Sequence, residues 1–439
     1  MIYPHQRKKL KICPKMSNLT SDVILKRMMT LHPKVIDLTL DRVWYLLDAL
    51  GNPQNYLPKV IHIAGTNGKG STLSMLRAGL NEIGLQTHAY TSPHLVRFHE
   101  RIQINENFID EDDLTDILNE CYSANNGQPI TYFEITTCAA ILAMSRKPAD
   151  YILLEVGLGG RLDATNVIKQ PALTIITPIS IDHEQFLGTT IKEIASEKAG
   201  IIKALCPVVI GKQNEDALEV ITDKAVSLES PIIAEGKQWF IKEENDGVFY
   251  EDQHTAIKLP RPNLLGAHQI QNAGIALAAL NYLSTPKKAL HGAISKAKWP
   301  ARMQKLNTGP IVKTLGHSDV WLDGGHNPAA GQALANYLST DNKRPTILIC
   351  GMLRTKDVAG YLSPLSKEAK FLAAVSIPNE HNTLTADETA KIGNQLGMTS
   401  KSFASIAEGV QFVADQFPNC RVLICGSLYL AGQILIENQ

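Results

Sequence analysis

Short strands and helical segments alternate through residues 59–211. The predicted strands are "KVIHIA", "DYILLEV", "ALTIITPI" and "CPVVIG", and the predicted helices lie at 71–83, 133–146 and 192–203. A chain that alternates in this way builds a mostly parallel sheet covered on both faces by helices. The sequence therefore predicts an α/β fold, in which side chains at the carboxyl ends of the strands face a ligand crevice.

The pattern changes after this region. Residues 229–258 contain short alternating runs such as "WFIKEENDGVFYE", which predict a small antiparallel sheet packed beside the main one. After the helical segment "HQIQNAGIALAALNYL", a second series of strands comprises "VWLD", "TILICG", "FLAAVS" and "RVLICG". We therefore predict two α/β domains, and the predicted bounds are 1–34 for an N-terminal extension and lead-in, 35–300 for the first domain, 301–308 for a linker and 309–439 for the second domain.

The composition restricts the partners and the compartment. Lysine plus arginine (43) equals aspartate plus glutamate (43), so no global field recruits nucleic acid or an acidic membrane surface. The seven cysteines are dispersed without CxxC pairs, which favours reduced thiols, and no apolar run approaches the length of a membrane span. We expect a cytoplasmic monomer with small-molecule partners. The basic opening before Met16 is interpreted as an extension, an upstream start or a transit peptide.

The stretch "IHIAGTNGKGSTL" at residues 61–73 has the form of a phosphate-binding loop. A strand that feeds a glycine-rich turn at the start of a helix aims backbone N–H groups and the helix dipole at one anion. The strict GxxxxGK[ST] pattern, counted back from Lys69, is broken at Ile63 and at Gly70. The loop alone therefore indicates a nucleotide site, with an ordinary tight turn as the alternative.

Polar side chains follow the next two strands of the predicted sheet. Glu155 lies at the end of the buried strand in "LLEVGLGG", while Asp182 and His183 follow "TIITPISI". Because the carboxyl ends of parallel strands border the crevice, Glu155 lies where Mg²⁺ needs an oxygen ligand opposite a phosphate loop. The alternatives are a glutamate in a solvated turn and a histidine with no ligand role.

Ten motifs in order, from about residue 35 to the C-terminus, resemble the folylpolyglutamate synthase / dihydrofolate synthase family within the Mur-type ATP-dependent amide ligases. They are "GTNGKGS", "TSPHLVRFHERIQIN", "TYFE", "EVGLGGRLDATN", "DHEQFLG", "SEKAGIIK", "GAHQIQNA", "WPARMQ", "DGGHNP" and "GSLYLAG". The resemblance implies a P-loop central domain of the Mur-ligase type, with a mostly parallel and a small antiparallel sheet, and a Rossmann-like α/β C-terminal domain. The differences from the GxxxxGK[ST] pattern at Ile63 and Gly70 are then typical of the phosphate loop in this family.

The resemblance also implies residue roles. ATP would be bound by Gly65, Thr66, Asn67, Gly68, Lys69, Gly70, Ser71, Asn272, Arg302 and Asp323. Ser92, Glu155 and His183 would hold Mg²⁺, with a monovalent cation such as K⁺ as a possible addition. Lys198 matches a lysine that is carbamylated in relatives, and His326 would contact the transferring phosphate, so Lys69, Lys198 and His326 are the catalytic candidates. Carbamylation needs a neutral amine, so the pKa of Lys198 would have to lie well below about 10.4.

The folate side of the site is implied by two motifs. The candidates from "TSPHLVRFHERIQIN" and "TYFE" are His94, Arg97, Glu100, Arg101, Phe133 and Glu134. The alternative for these residues is a charged loop followed by a helix start. Lys356 and Asp357 are family positions without a defined role, and Gly325 stands where relatives usually have alanine.

The implied reaction is the addition of L-glutamate to dihydropteroate, to folate polyglutamates, or to both. ATP would phosphorylate the carboxylate of the folate-type acid, and the amino group of glutamate would displace the phosphate. Two alternatives remain at this stage. Another Mur-type ligase would join an amino acid to a cell-wall precursor, and a P-loop switch would hydrolyse nucleotide without an amino-acid pocket.

Overall fold

The computed structural model describes residues 20–34, 36–340 and 344–439. Within them the helices are α1 Ser21–Met28, α2 Asp41–Ala49, α3 Lys69–Glu82, α4 Glu111–Ala124, α5 Tyr132–Ser145, α6 Glu184–Leu187, α7 Ile191–Ala199, α8 Glu215–Ser227, α9 Ala267–Tyr282, α10 Lys287–Lys296, α11 Pro310–Leu315, α12 Pro328–Leu338, α13 Val358–Leu365, α14 Ala386–Gln395, α15 Ile406–Gln416 and α16 Leu428–Glu437. Short 3₁₀ helices lie at Pro53–Tyr56 and Phe98–Arg101.

The strands build three sheets. They are β1 Lys59–Ala64, β2 Thr87–Tyr90, β3 Ile102–Ile104, β4 Asn107–Phe108, β5 Tyr151–Glu155, β6 Leu173–Ile176, β7 Val208–Ile210, β8 Ile232–Ala234, β9 Trp239–Glu244, β10 Gly247–Asp252, β11 Ala256–Leu259, β12 Gln304–Leu306, β13 Asp319–Leu322, β14 Thr346–Cys350, β15 Ala369–Ala374, β16 Ser400–Ser402 and β17 Arg421–Cys425. The predicted mixture of a mostly parallel sheet, a small antiparallel sheet and a second α/β domain is confirmed.

The large sheet has the order β4-β3-β2-β5-β1-β6-β7-β8, and only β3 and β4 run antiparallel to their neighbours. In the parallel register Ile63 of β1 faces Glu155 of β5 on one side and Ile175 of β6 on the other. The ends of these three strands therefore lie level with one another. The loops that follow them open on the same edge of the sheet, as the alternating pattern predicts.

Both faces of the large sheet are buried. Ile61 and Ile63 of β1 pack in one cluster with α3, α9 and α10, whereas Val60 packs in another with α1, α2, α4 and α5. Strands buried on both faces read as continuous apolar runs, which is why "KVIHIA" and "YILLEV" show no alternation. The helices on the first face carry the phosphate loop, and those on the second carry the "TYFE" motif.

The predicted antiparallel region is correct only in part. The three-stranded sheet β11-β10-β9 begins at Trp239, whereas β8, at Ile232–Ala234, pairs in parallel with β7 at the edge of the large sheet. Four or fewer apolar residues carry too little periodicity to distinguish a parallel edge strand from part of a meander. In the predicted linker, β12 pairs antiparallel with β13 of the C-terminal sheet.

The C-terminal sheet has the order β12-β13-β17-β14-β15-β16 and is parallel from β13 onward. In the lead-in, α1 buries Ile24, Leu25 and Met28 in the cluster that contains α4 and α5. The domain bounds themselves stay predictions, and the basic residues before Met16 lie outside the described residues. Within the described part of the chain, every helix falls short of the length and apolar character that a membrane span requires.

Two helical glycines provide a matched test of this packing. A Cβ atom on Gly79 of α3 would lie 2.8 Å from the Ala289 carbonyl oxygen of α10, whereas one on Gly409 of α15 would lie 3.5 Å from Val375. Replacing glycine with alanine inside a helix stabilises the folded state by about 0.5–1 kcal/mol. Inserting a side chain into a contact that is already packed destabilises the folded state by about 1–3 kcal/mol. We expect Gly409→Ala to raise the free energy of unfolding in urea and Gly79→Ala to lower it. Equal effects would contradict the close packing of α3 on α10.

Candidate active site

The phosphate loop, residues 65–68, connects the central strand β1 to α3, whose first residue is Lys69. Gly68 has φ of 87°, and a Cβ atom there would lie 2.2 Å from Oδ1 of Asn272. Glycine is therefore required at this position both by the left-handed backbone and by the close approach of α9. Asn272 is buried and donates to Gln269 at 3.0 Å, so its amide is fixed beside the loop.

Two lysines converge on the first carbonyl of the loop. Nζ of Lys69 donates to the Gly65 oxygen at 3.1 Å, and Nζ of Lys198 donates to the same oxygen at 3.0 Å. Burial lowers the pKa of Lys69, while Glu155 and Asp182 oppose that shift. Burial and the neighbouring Lys69 lower the pKa of Lys198 to about 7. Near neutral pH a large fraction of Lys198 therefore carries a neutral amine.

Glu155 ends β5 beside these lysines and is 5% exposed. Burial raises the pKa of its carboxyl to about 6, against the opposing effect of Lys69. The described residues give it one hydrogen bond, 3.3 Å from the backbone N–H of Ser92. A buried carboxylate with spare oxygen lone pairs is a suitable ligand for a hard cation. Ser92 and Glu155 therefore fit the predicted magnesium ligands.

The third predicted metal ligand has a competing partner. Nε2 of His183 lies 3.4 Å from Nζ of Lys356, and burial lowers the pKa of the His183 imidazole to about 4. The described residues contain no group of three or more His, Cys, Asp or Glu side chains close enough to bind a metal by themselves.

Asp182 joins the two domains. It accepts a hydrogen bond from Nζ of Lys356 at 2.6 Å and from Nδ2 of Asn327 at 3.2 Å, and both partners belong to the C-terminal domain. Burial opposes ionisation, but Lys356, His183 and His326 together hold the pKa of Asp182 well below its usual range. Asn327 also donates to Oδ1 of Asn67 in the phosphate loop at 3.0 Å. Asp182 and Asn67 thus fix the C-terminal domain against the loop.

Three of the predicted ligand contacts come from the C-terminal side of the cleft, two from the C-terminal domain and one, Arg302, from the predicted linker that leads into β12 of the same sheet. Asp323 is buried and accepts backbone N–H bonds from Met303 at 2.8 Å and Gly325 at 2.7 Å. Nδ1 of His326 lies 2.9 Å from the Gly324 carbonyl, and burial lowers the pKa of this imidazole to about 4. The guanidinium of Arg302 borders the same space. The imidazole of His326 is therefore neutral at physiological pH, with its Nδ1–H donated to the Gly324 carbonyl and Nε2 left as an acceptor.

One cavity of about 390 Å³ collects these groups. Its border contains every predicted ATP, metal and catalytic residue, namely Gly65, Thr66, Asn67, Gly68, Lys69, Gly70, Ser71, Ser92, Glu155, His183, Lys198, Asn272, Arg302, Asp323 and His326. Residues from eight separated segments thus face a single space between the two domains. A loop of backbone N–H groups, several cations and a buried carboxylate suit a polyphosphate with its metal ion.

The predicted folate residues lie beside this cavity and outside its border. Arg101 donates through Nε to Nδ1 of His94 at 2.9 Å, and its guanidinium lies 5.9 Å from the ring centre of Tyr132. Burial and Arg101 lower the pKa of His94 to about 4, so His94 is a neutral acceptor. The ring of Phe133 lies against Gly157, which borders the cavity.

Three of the folate candidates have other surroundings. Glu100 accepts backbone N–H bonds from Leu95, Val96 and Arg97, so its carboxylate stabilises that loop. Arg97 is exposed. Both carboxylate oxygens of Glu134 are engaged by the guanidinium of Arg42, at 2.8 and 3.0 Å. Like the other three folate candidates, these side chains do not border the cavity.

Sequence reasoning missed several polar residues of the site. Gln269 and Lys212 border the cavity, and Asn327 bonds to Asn67 of the phosphate loop, but the sequence analysis assigned none of the three a role. Lys356 was named there without a defined role. Asp182 was noted only as the neighbour of His183. The available signal was its place in the loop that follows β6, on the sheet edge where Glu155 ends β5.

Comparisons with known proteins agree with this geometry. Residues 63–280 match the Mur ligase middle domain, and residues 312–437 match the dihydrofolate synthetase C-terminal domain. The dihydrofolate synthase/folylpolyglutamate synthase of Bacillus subtilis is 32% identical over 90% of this chain and 94% of its own. The chain belongs to the dihydrofolate synthase/folylpolyglutamate synthase family. The protein of the same name from Escherichia coli is also 32% identical, over 92% of both chains.

Solved structures of the family have the same fold. A structure of Escherichia coli FolC in complex with DHPP and ADP has a TM-score of 0.87 and 30% identity, and covers 97% of this chain and 98% of that one. A bifunctional folylpolyglutamate synthase/dihydrofolate synthase with Mn, AMPPNP and L-glutamate bound has a TM-score of 0.84, 28% identity and coverage of 95% and 98%. Membership of this family of ATP-dependent glutamate ligases does not favour the cell-wall ligase or the nucleotide switch.

Glu155 provides a test that separates stability from activity. A pKa raised from 4.5 to about 6 means that the folded state holds this proton more tightly than the unfolded chain, so the stabilising contribution is full below pH 4.5 and is lost as the pH rises through 6. Without metal or nucleotide, we expect Glu155→Gln to raise the free energy of unfolding at pH 7.5 by about 1–2 kcal/mol, and by less at pH 5.

The same Glu155→Gln variant should lose metal-dependent turnover, because a neutral amide is a weaker ligand for a hard cation. Urea unfolding with a chelator at both pH values, and turnover against Mg²⁺ concentration, measure the two effects. Exposed Glu251→Gln is the control and should change neither. A Glu155→Gln variant that retains full activity at unchanged Mg²⁺ concentration would contradict the metal assignment.

Proposed function

We propose that this family member adds L-glutamate to dihydropteroate, to reduced folate polyglutamates, or to both, with ATP as the source of energy. In classification terms this is an acid–amino-acid ligase of the dihydrofolate synthase and tetrahydrofolate synthase classes. The observation that carries the proposal is the single cavity in which the Lys69 loop of one domain faces Arg302, Asp323 and His326 on the C-terminal side of the cleft. Such an arrangement supports transfer of a phosphoryl group between two substrates held by different domains.

The proposed reaction has two steps. A carboxylate oxygen of the folate-type acid attacks the γ-phosphorus of ATP, the bond to the bridging oxygen breaks, and ADP leaves with an acyl phosphate formed. The neutral amino group of glutamate then attacks the acyl carbon, the C–O bond to phosphate breaks, and the amine releases one proton. The carboxylate is a poor electrophile until it is phosphorylated, so the first step makes the second possible.

The protein's contribution would be electrostatic. Lys69 and the N–H groups of its loop would neutralise charge on the transferred phosphoryl group from one side, and Arg302 would do so from the other. Ser92, Glu155 and His183 would hold Mg²⁺, which supplies additional positive charge at the phosphate oxygens. A monovalent cation such as K⁺ is a further proposed component. His326 would contact the transferring phosphate. Because its Nδ1–H donates to the Gly324 carbonyl, Nε2 would donate to the phosphate only as imidazolium, which the negative charge of the phosphate favours.

Lys198 would act as a carbamate. Its amine would attack CO₂, lose one proton and become an anion that supports the metal site. The lysine is 4% exposed, and its pKa of about 7 supplies the neutral amine that carbamate formation requires. The nearby Lys69 ammonium would then face an anion in place of a second cation.

The cellular compartment and the class of substrate are inferred from the cysteines and from the charge balance. In the described part of the chain all six cysteines have free, buried thiols, which supports a reducing compartment such as the cytoplasm. Equal numbers of acidic and basic residues favour small-molecule substrates over nucleic acid. A cytoplasmic location and a monomeric state are therefore part of this proposal.

The reaction is tested by substrate dependence. Purified protein with ATP and Mg²⁺ should release phosphate only when a pteridine-carrying acid and L-glutamate are both present, and dihydropteroate and tetrahydrofolate tested separately would distinguish one activity from two. Lys69→Ala should lower turnover by about 10²–10³-fold or more, since it removes one charge from a buried transition state. Phosphate release that ignores both substrates would instead support a nucleotide switch.

Lys198 is tested by removing the group that can become an anion. Lys198→Ala should lose most activity, and Lys198→Arg should not restore it, because arginine keeps the charge and cannot form a carbamate. Millimolar acetate added to Lys198→Ala should recover part of the turnover by supplying an anion. Lys192→Arg, at an exposed position of the same helix, is the control. Wild-type turnover in Lys198→Arg would rule out the carbamate.

A further inference from the structure

Arg42, in the first turn of α2, donates hydrogen bonds through all three guanidinium nitrogens to two segments, the loop before α2 and the start of α5. Nε and Nη2 donate to the two oxygens of Glu134 at 3.0 and 2.8 Å. Nη1 donates to the carboxylate of Asp37 at 2.9 Å, and Nη2 also donates to the Asp37 carbonyl at 3.0 Å. The planar fork of arginine allows these bonds at once, whereas a lysine ammonium cannot span them.

Glu134 is fixed from its other side as well. Oε2 accepts the backbone N–H of Thr131 at 2.8 Å, and Oγ1 of Thr131 accepts the backbone N–H of Glu134 at 3.3 Å. This capping box defines the start of α5. The Glu134 side chain is 5% exposed and that of Arg42 is 21% exposed, so the ion pair is largely shielded from solvent. Glu134 therefore holds the helix start in place.

Both segments that Arg42 holds are linked by packing to the wall of the cavity. Phe133, next to Glu134, lies against Gly157, and this is the direct contact with the cavity wall. Leu38, next to Asp37, packs against the apolar cluster to which Val156 also belongs. Val156 and Gly157 border the cavity directly after Glu155. Arg42 itself does not border the cavity. Its influence on the site must therefore pass through the aromatic and aliphatic side chains beside it.

The surface that these side chains present has a definite chemistry. The ring of Phe133 lies against Gly157 of the cavity border, and the guanidinium of Arg101 lies 5.9 Å from the ring centre of the adjacent Tyr132. Aromatic faces with one cation suit a flat heteroaromatic ring attached to an acid. Small displacements of such a surface weaken binding of a rigid ring, because ring contacts depend on close approach.

We propose that Arg42 is a positioning residue for the pteridine-carrying substrate, acting through Glu134 and Asp37 on the two segments that form its binding wall. The inference rests on the proposed function, and it assigns Glu134 to this internal support in place of the direct folate contact that the sequence predicts. The Lys69 loop and Arg302 lie on other elements, so binding of ATP should depend little on Arg42.

The test compares Arg42→Lys with a matched variant at the opposite end of α5. Arg146 pairs with Glu120 at 2.7 Å there, but these side chains are 47% and 44% exposed and lie away from the cavity. We expect Arg42→Lys to raise KM for the pteridine acid about tenfold, while kcat and KM for ATP change less than about threefold. Arg146→Lys should leave all three unchanged.

A milder variant protects the test against a failure to fold. Asp37→Asn removes one arm of the contact at a side chain that is 33% exposed, and it should raise KM for the acid about threefold. Glu134→Gln keeps the shape and loses the charge, so its KM should move in the same direction as that of Arg42→Lys. Thermal melting of each variant reports stability separately from KM.

The outcomes are distinct. A lower melting temperature with unchanged KM for the acid in both Arg42→Lys and Asp37→Asn would overturn the inference, because a purely structural pair predicts that result. Equal rises in KM for ATP, glutamate and the acid would also overturn it. A wild-type protein that turns over no pteridine acid would overturn the proposed function and this inference together. A selective rise in KM for the acid supports both.

Discussion

The carbonyl oxygen of Gly65 accepts hydrogen bonds from two lysines, and this shared acceptor sets the positions of both lysines at the border of the cavity. Lys69 and Lys198 approach it to 3.1 and 3.0 Å from different helices. Burial lowers both pKa values, and Lys69 lowers that of Lys198 further. The two lone pairs of the carbonyl accept both donors, and Glu155 and Asp182 offset part of the repulsion between the two amines. The arrangement therefore favours binding of polyphosphate, which supplies further negative charge.

The sheet makes this convergence possible. Gly65 follows the central strand β1, and the register sets Ile63 opposite Glu155, so the carboxylate ends its strand level with the start of the loop. Lys198 belongs to α7, whose buried residues pack against β6 and β7 of the large sheet. A shift of one residue in the β1–β5 register would turn Glu155 to the other face of the sheet. The apolar pairing of the strands thus determines the electrostatics of the site.

The parts of the site that could be predicted from the sequence are those encoded locally. The β1–loop–α3 unit and Glu155 follow from a strand, a glycine turn and a helix that are adjacent in the chain. The Lys356–Asp182 contact joins residues 174 positions apart, and Arg42–Glu134 joins residues 92 positions apart. No periodicity in one segment specifies a partner in another. Resemblance to relatives supplied the residues of "DGGHNP" and "TYFE", but it could not indicate that Glu134 faces Arg42.

The contacts of Lys356 have a consequence for how the two domains meet. Its ammonium lies 2.6 Å from Oδ1 of Asp182 and 3.4 Å from Nε2 of His183. A neutral imidazole nitrogen has one lone pair, which either accepts a proton donor or binds a metal ion. A metal ion on Nε2 of His183 and the hydrogen bond from Lys356 to that nitrogen therefore exclude each other. Because Lys356 belongs to the C-terminal domain, a metal ion on Nε2 would replace only this 3.4 Å contact between the domains. The 2.6 Å bond from Lys356 to Asp182, and the bonds of Asn327 to Asn67 and Asp182, use other acceptors and would still hold the domains together.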